Sequence, residues 1–176
     1  VREETELYFE NGTVILTPWE EKRVILELDK IWGGFIKVEA ETQGELHAEI
    51  TCRELSENRL SERLTFFKNQ SYRGFCMHST GNIEVTAKNL IDQNAKLKVS
   101  FIKTHYPIYE EADTVTSDAD LNEVLKLCKH TLKICRQTHH LDSPRHCEPL
   151  ACTGDYYIES LMTPFSFGDM KLSEFD

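Results

Sequence analysis

The densest group of reactive side chains lies between Leu141 and Asp155, in the stretch LDSPRHCEPLACTGD. It holds three carboxylates, Asp142, Glu148 and Asp155, with His146, Cys147 and Cys152 among them. Pro144, Pro149 and Gly154 punctuate the stretch, so it reads as a loop, and loops carried by a rigid scaffold are where catalytic groups concentrate. The chemistry that needs several carboxylates together is glycosidic bond cleavage. One protonated carboxyl donates to the leaving oxygen, another in its ionised form activates water or attacks the sugar, and others accept hydrogen bonds from sugar hydroxyls. Clustering helps, because nearby negative charge raises a neighbour's pKa and keeps a general acid protonated near neutral pH. On spacing alone, the same three acids also read as a solvated acidic loop.

Two other chemistries draw on the same region. His139, His140, Asp142, His146, Cys147 and Cys152 are ligand types that zinc accepts, but no pair of histidines four apart and no paired CxxC organises them. Cys147 beside His146 suggests an activated thiol, which needs a lowered pKa and an orienting base. Sequence neighbours rarely face each other in that way. The six cysteines (52, 76, 128, 135, 147 and 152) form no CxxC, and Cys128 and Cys135 stand two helical turns apart, too far for a mutual disulfide. They read as buried thiols acting as small hydrophobes.

The elements that must hold the loop follow from periodicity. Residues 1 to about 107 alternate with period two. The strand candidates are Leu7–Phe9 and Val14–Leu16, Val24–Leu28, Phe35–Ala40, Glu45–Ile50, Leu64–Lys68, Tyr72–Met77, Ile83–Ala87 and Leu97–Thr104. Asn11-Gly12 reads as a hairpin turn between the first two, and Gln43-Gly44 as a turn further on. Short strands at regular spacing predict an antiparallel sandwich of jelly-roll type. Trp19, Trp32, Tyr72 and Phe75 are candidate platforms for stacking a sugar, or equally core and edge aromatics. After Tyr106-Pro107 the pattern changes. Glu110–Thr116 reads as a linker, Ser117–Asp120 as a loose capping box, and Leu121, Val124, Leu125, Cys128, Leu132 and Cys135 as the apolar stripe of one amphipathic helix. Lys129, Lys133 and Arg136 suit its C-terminal end. A second helix is expected from near Asp155 towards Pro164.

The bulk properties exclude more than they name. The net charge of −10 argues against a broad basic face for nucleic acid or an anionic membrane. No run of about 18 apolar residues is present, so no membrane insertion is expected. The chain opens VREETELYF and stops at KLSEFD, which reads as a piece of a longer protein. Its helix stripe would then pack on the sandwich or mediate self-association.

The acidic loop resembles the signature of glycoside hydrolase family 78, the α-L-rhamnosidases, which reads like DCPQRDERLGWTGD. Asp142, Pro144, Glu148, Thr153, Gly154 and Asp155 stand at matching spacings. The helix SDADLNEVLKLCKHTLKIC also resembles the lead-in helix of that family's (α/α)6 barrel, which a β-sandwich commonly precedes. The resemblance implies a mostly β chain: a sandwich over 1–109, a linker over 110–116 and the first helices of an (α/α)6 barrel over 117–176. It implies that Glu148 is the general acid of an inverting hydrolysis, that Asp142 and Asp155 contact rhamnose hydroxyls, and that the catalytic base lies further along the barrel, so this piece alone is inactive. His146, Pro149 and Cys152 stand where the motif has Arg, Arg and Trp; His146 and Cys152 would line the sugar site in their place. The implied partner is a rhamnose-containing oligosaccharide or glycoside, with no cofactor, and a periplasmic or extracellular location would suit it. A sandwich that binds carbohydrate without catalysis is the alternative.

Overall fold

The computed structural model describes residues 2–53, 59–143 and 152–175. Seven antiparallel strands are found among them: β1 (Glu3–Leu16), β2 (Glu21–Glu41), β3 (Leu46–Arg53), β4 (Arg59–Phe66), β5 (Gln70–Arg73), β6 (His78–Asn89) and β7 (Ala95–His105). They are followed by α1 (Ala119–Cys135), α2 (Thr153–Phe167) and α3 (Lys171–Phe175). The sandwich followed by helices that the sequence predicts is the fold observed. The chain divides into two compact units, one of Thr5–Lys103 and one of Thr104–Asp176 with Val1–Glu4.

In the strand unit the order is β1-β7-β2-β6-β3-β4, with β5 also on β2. The long β2 serves both halves of the sandwich. Its first part pairs with β6, from Glu21↔Lys88 to Gly34↔His78, and its last part lies between β7 and β5. The register with β6 shifts between Glu27 and Trp32. On β6 the buried positions change parity at the same level, from His78 and Thr80 to Ile83, Val85 and Ala87. Such an irregularity bends a strand and lets it pass from one layer to the other. Two glycines follow it in β2. A side chain at Gly34 would run into the Ile102 carbonyl and the Lys103 Cα, so β7 can approach only because that position has none. The core is built from alternate residues of both halves: Leu26, Ile36, Val38, Leu46, Ile50, Ile83, Val85, Leu97, Val99 and Phe101 are all buried.

Three local expectations change. Asn11-Gly12 is not a turn; β1 runs straight through it. A side chain at Gly12 would meet the Val99 carbonyl at 2.8 Å, so this glycine admits a neighbouring backbone rather than a reversal. The Gln43-Gly44 connection joins β2 to β3, but these strands do not pair, because β6 lies between them. The cysteines are not uniformly buried: Cys52 and Cys135 are, but Cys76 and Cys128 are exposed.

In the second unit the N-cap of α1 is Asp118, one residue beyond the expected Ser117. Its carboxylate accepts from the backbone N–H groups of Asp120 and Leu121, which satisfies two orphan donors. α2 extends past Pro164 and ends at Gly168, whose φ of 63° suits a left-handed C-cap. Pro164 leaves the Ser160 carbonyl without its usual helical donor, and the Ser173 hydroxyl supplies one at 3.4 Å. The segment before α1 is fastened: Glu111 pairs with Lys133 at 2.8 Å, Ala112 N–H donates to Ser166 O, and Ala112 O accepts from Lys129.

Candidate functional site

The acidic loop leaves the end of α1 and returns at the start of α2. α1 stops at Cys135, and the chain turns back at once: Leu141 N–H donates to Cys135 O, and Arg136 bridges His140. Arg136, Gln137 and His140 of this turn are polar and buried. His140 Nε2 lies 2.9 Å from Thr163 Oγ1 on α2, and the Gln137 amide spans Thr104 and Ile134. These bonds fix the turn at the end of α1.

Asp142 follows, half-buried, with its carbonyl accepting from the Cys135 thiol at 3.6 Å. Residues 144–151 lie outside the described residues, and with them Pro144, His146, Cys147, Glu148 and Pro149. The chain resumes at Cys152, which is half-buried and takes the N-cap position of α2 with extended backbone and no side-chain capping bond. Asp155 sits exposed in the first turn, where Cys152 O accepts its N–H. A carboxylate there is favoured by the helix dipole whatever its function.

The structure adds an acid that the sequence reading missed. Glu159, one turn after Asp155 on α2, is half-buried and hydrogen bonds the Cys135 thiol. Burial, then the negative charges of Glu159 and Asp142, push that thiol up to about 12. Cys135 therefore stays protonated near neutral pH; it is no nucleophile, but a neutral link between Asp142 on one side and α2 on the other. The signal was present, since residues four apart share a helix face, but it needed the position of Cys135 to give it meaning. Among the described residues no group of three or more His, Cys, Asp and Glu could hold a metal ion.

Arg136 is also not where its sequence position suggests. It is fully buried rather than a surface complement to the helix dipole. Its guanidinium lies between the rings of Tyr106 and Phe167, with centroids at 5.1 and 4.7 Å, and Nη2 is 3.3 Å from Asp169. Burial pulls its pKa down, against the pull of Asp169 and Tyr106.

The four aromatic candidates divide evenly. Trp32 is 6% exposed, with its indole N–H on Asp29 and Lys30 and Lys103 over its ring. Tyr72 is held by its hydroxyl on Glu62 at 2.7 Å, and the other oxygen of Glu62 meets buried His78 at 2.7 Å. Trp19 and Phe75 are exposed, at 65% and 89%.

The helices carry a further observation. Leu121, Val124 and Leu127 on α1, and Tyr157, Ile158, Leu161 and Phe165 on α2, are exposed large apolar residues. Helix faces of this kind pack against further helices in a layered fold.

No protein-family profile matches the sequence, and no curated protein matches it. Among solved structures the chain is similar to the GH78 family rhamnosidase of Bacillus sp. GL1, with a TM-score of 0.78 and 21% identity over 91% of this chain and 18% of that one. It is also similar to a Klebsiella oxytoca rhamnosidase with rhamnose bound, with a TM-score of 0.74 and 14% identity over 90% of this chain and 35% of that one. At these identities the likeness is one of fold. The chain spans about a fifth and about a third of the lengths of these two structures. No helix among the described residues is long and apolar enough to cross a membrane.

Proposed function

We propose that the chain is part of an inverting glycoside hydrolase that removes terminal α-linked rhamnose, with a sandwich over 1–109, a linker over 110–116 and the opening of an (α/α)6 barrel over 117–176. The observation that carries the reading is that the motif-bearing loop joins α1 to α2 in a chain whose fold follows two rhamnosidases over nine-tenths of its length. The exposed apolar faces of both helices support it, since a barrel would cover them with later helices.

In this reading Glu148 is the general acid and Asp142 and Asp155 bind the sugar hydroxyls. His146 and Cys152 take the places of an Arg and a Trp beside the ring. Asp142 is preset by its tie to Cys135, and Asp155 by the first turn of α2. The base lies outside these 176 residues, so the chain alone turns nothing over; the substrate is a rhamnose-containing glycoside, and no cofactor is needed, because two carboxylates suffice.

The test is Glu148→Gln in the longer enzyme. General acid catalysis contributes on the order of 10²–10⁴-fold, so turnover of an unactivated rhamnoside should fall by about that factor. A nitrophenyl rhamnoside, whose leaving group needs little protonation, should lose far less. Near-normal turnover of the unactivated substrate would refute the acid assignment, and retention of anomeric configuration in the first-formed product would refute inversion.

A further inference from the structure

One end of the sandwich carries an exposed tryptophan in a conformation that tryptophan disfavours. Thr17-Pro18-Trp19-Glu20 forms a tight turn closed by Glu20 N–H donating to Thr17 O at 3.2 Å. Trp19 has φ of 61°, and it is the non-glycine residue with positive φ among the described residues. In such a turn, with proline before it, glycine is the natural occupant. The surroundings enforce the strained form. The Glu20 carboxylate accepts from both the backbone N–H and the hydroxyl of Thr17, at 2.7 and 2.9 Å. The fully buried Asn89 donates to Thr17 O and to Gln93 O, while its own N–H donates to Glu20 O. A strained residue held by an over-determined frame and left exposed points to a role outside the fold.

The other loops at this end are fastened to the same frame. Leu90 N–H donates to Glu45 O, and Thr42 N–H donates to the Asn69 side-chain oxygen. They enclose an open recess of about 340 Å³ lined by Ile15, Thr42, Gln43, Asn69, Asn94 and Lys96 among others. That size falls at the lower end of small-ligand sites, roughly 300–1,000 Å³. Its one ammonium, that of Lys96, is matched by Glu41 at 2.8 Å. The Thr42 hydroxyl is buried and exchanges hydrogen bonds with Gly44, so what remains for a ligand is the amides of Gln43, Asn69 and Asn94 and an apolar side chain, which suits a neutral polyol better than an ion.

We propose that this loop end is a saccharide-binding surface, with Trp19 as its stacking platform and Gln43, Asn69 and Asn94 as its hydrogen-bonding amides. An indole face offers a large, rigid apolar area to the C–H face of a sugar ring, and amides match hydroxyls as both donors and acceptors. The choice of saccharide over other polyols rests on the proposed glycosidase reading, but the site itself is independent of Glu148.

The test uses the 176-residue chain, whose two tryptophans are read by their emission. Trp32 is buried, so acrylamide should quench Trp19 selectively. Methyl α-L-rhamnoside and a panel of plant and bacterial oligosaccharides are titrated for protection of Trp19, and the protecting sugar is then offered to Trp19→Gly. Glycine adopts this φ without strain, so the unfolding midpoint should rise by about 2–4 °C. Affinity should fall by on the order of tenfold or more. A raised midpoint together with lost binding supports the proposal. It is overturned if no saccharide protects Trp19, if Trp19→Gly binds equally well, or if that variant is less stable, which would make the ring a packing residue. Failure of Glu148→Gln would overturn the catalytic reading and leave this result standing.

Discussion

The buried pair Arg136–Asp169 separates two ways of removing the same contact. Arg136 has no exposure, a single carboxylate partner at 3.3 Å, and two guanidinium nitrogens, Nε and Nη1, with no hydrogen-bond partner among the described residues. Asp169→Asn keeps the oxygen that caps α3 through Lys171 N–H but removes the only negative charge the pair has. Breaking a buried pair from one side costs about 3–5 kcal/mol, because the remaining charge is uncompensated. The Asp169 side chain is 19% exposed, so water softens the loss, and about 3 kcal/mol is expected. Arg136→Met instead removes the charge together with the two unpaired nitrogens and leaves an apolar stem between Tyr106 and Phe167. Relief of the unpaired groups, about 1–3 kcal/mol each, offsets the lost ion pair and two cation–π contacts of about 0.5–2 kcal/mol each. The net change should stay within about 2 kcal/mol of wild type, and the double variant should recover most of what Asp169→Asn loses. Urea denaturation followed at 222 nm reads this directly, because the three helices among the described residues lie in this unit. If Asp169→Asn costs under about 1 kcal/mol while Arg136→Met costs over about 3, the guanidinium is acting as a solvated donor and the argument from uncompensated charge is wrong.

Further outcomes follow from the strand unit and the start of α2. Gly34→Ala places a methyl against the backbone of Ile102 and Lys103, which cannot yield as a side chain would, so a loss of about 3 kcal/mol is expected. Gly154→Ala meets nothing within 4 Å and should gain up to about 1 kcal/mol from helix propensity; thermal melts of both variants check the pair. Burial, and then the hydrogen bond and charge of Glu62, push the Tyr72 hydroxyl up to about 12. A raised folded pKa gives stability that is full below the unfolded value near 10 and is lost as pH rises towards 12, so one tyrosine should titrate late at 295 nm and disappear in Tyr72→Phe. Burial pushes the Glu62 carboxyl up, but hydrogen bonds from His78 and Tyr72 and the charge of His78 outweigh it and hold its pKa below the ordinary 4.5. Its stabilisation is therefore present above that value and lost as pH falls through the folded pKa. The stability gap between wild type and Glu62→Gln should narrow in acid, and a gap that is constant with pH would show that Glu62 acts through shape alone.

What the sequence made legible was periodicity, and what it hid was partnership. Alternation from Phe35 to Ala40 and from Leu97 to Thr104 marks strands because one face is buried whichever strand lies beside it. Nothing local says that Gln43-Gly44 joins strands separated by β6, or that Gly12 makes room for β7 instead of turning the chain. Glycine serves both ends, and only the distant backbone decides between them. The helix itself was readable from its stripe, but Leu121, Val124 and Cys128 of that stripe are exposed while Leu132 and Cys135 are buried. Its cap was displaced to Asp118 because either a serine or an aspartate can accept from the first free N–H groups, and one residue of difference leaves no trace in the pattern.

The site divides along the same line. Asp142 and Asp155 were visible as acids in a punctuated loop, and a motif was needed to give them roles. Glu159 shares a helix face with Asp155, four residues earlier, but that spacing alone gives it no role. It acquires meaning only through Cys135, which the helix stripe had assigned to plain packing. The thiol is buried, as that stripe requires, and it is also the atom on which Asp142 and Glu159 converge. The thiol donates to the Asp142 backbone carbonyl and hydrogen bonds the Glu159 carboxylate, so it ties the residue that opens the loop to α2.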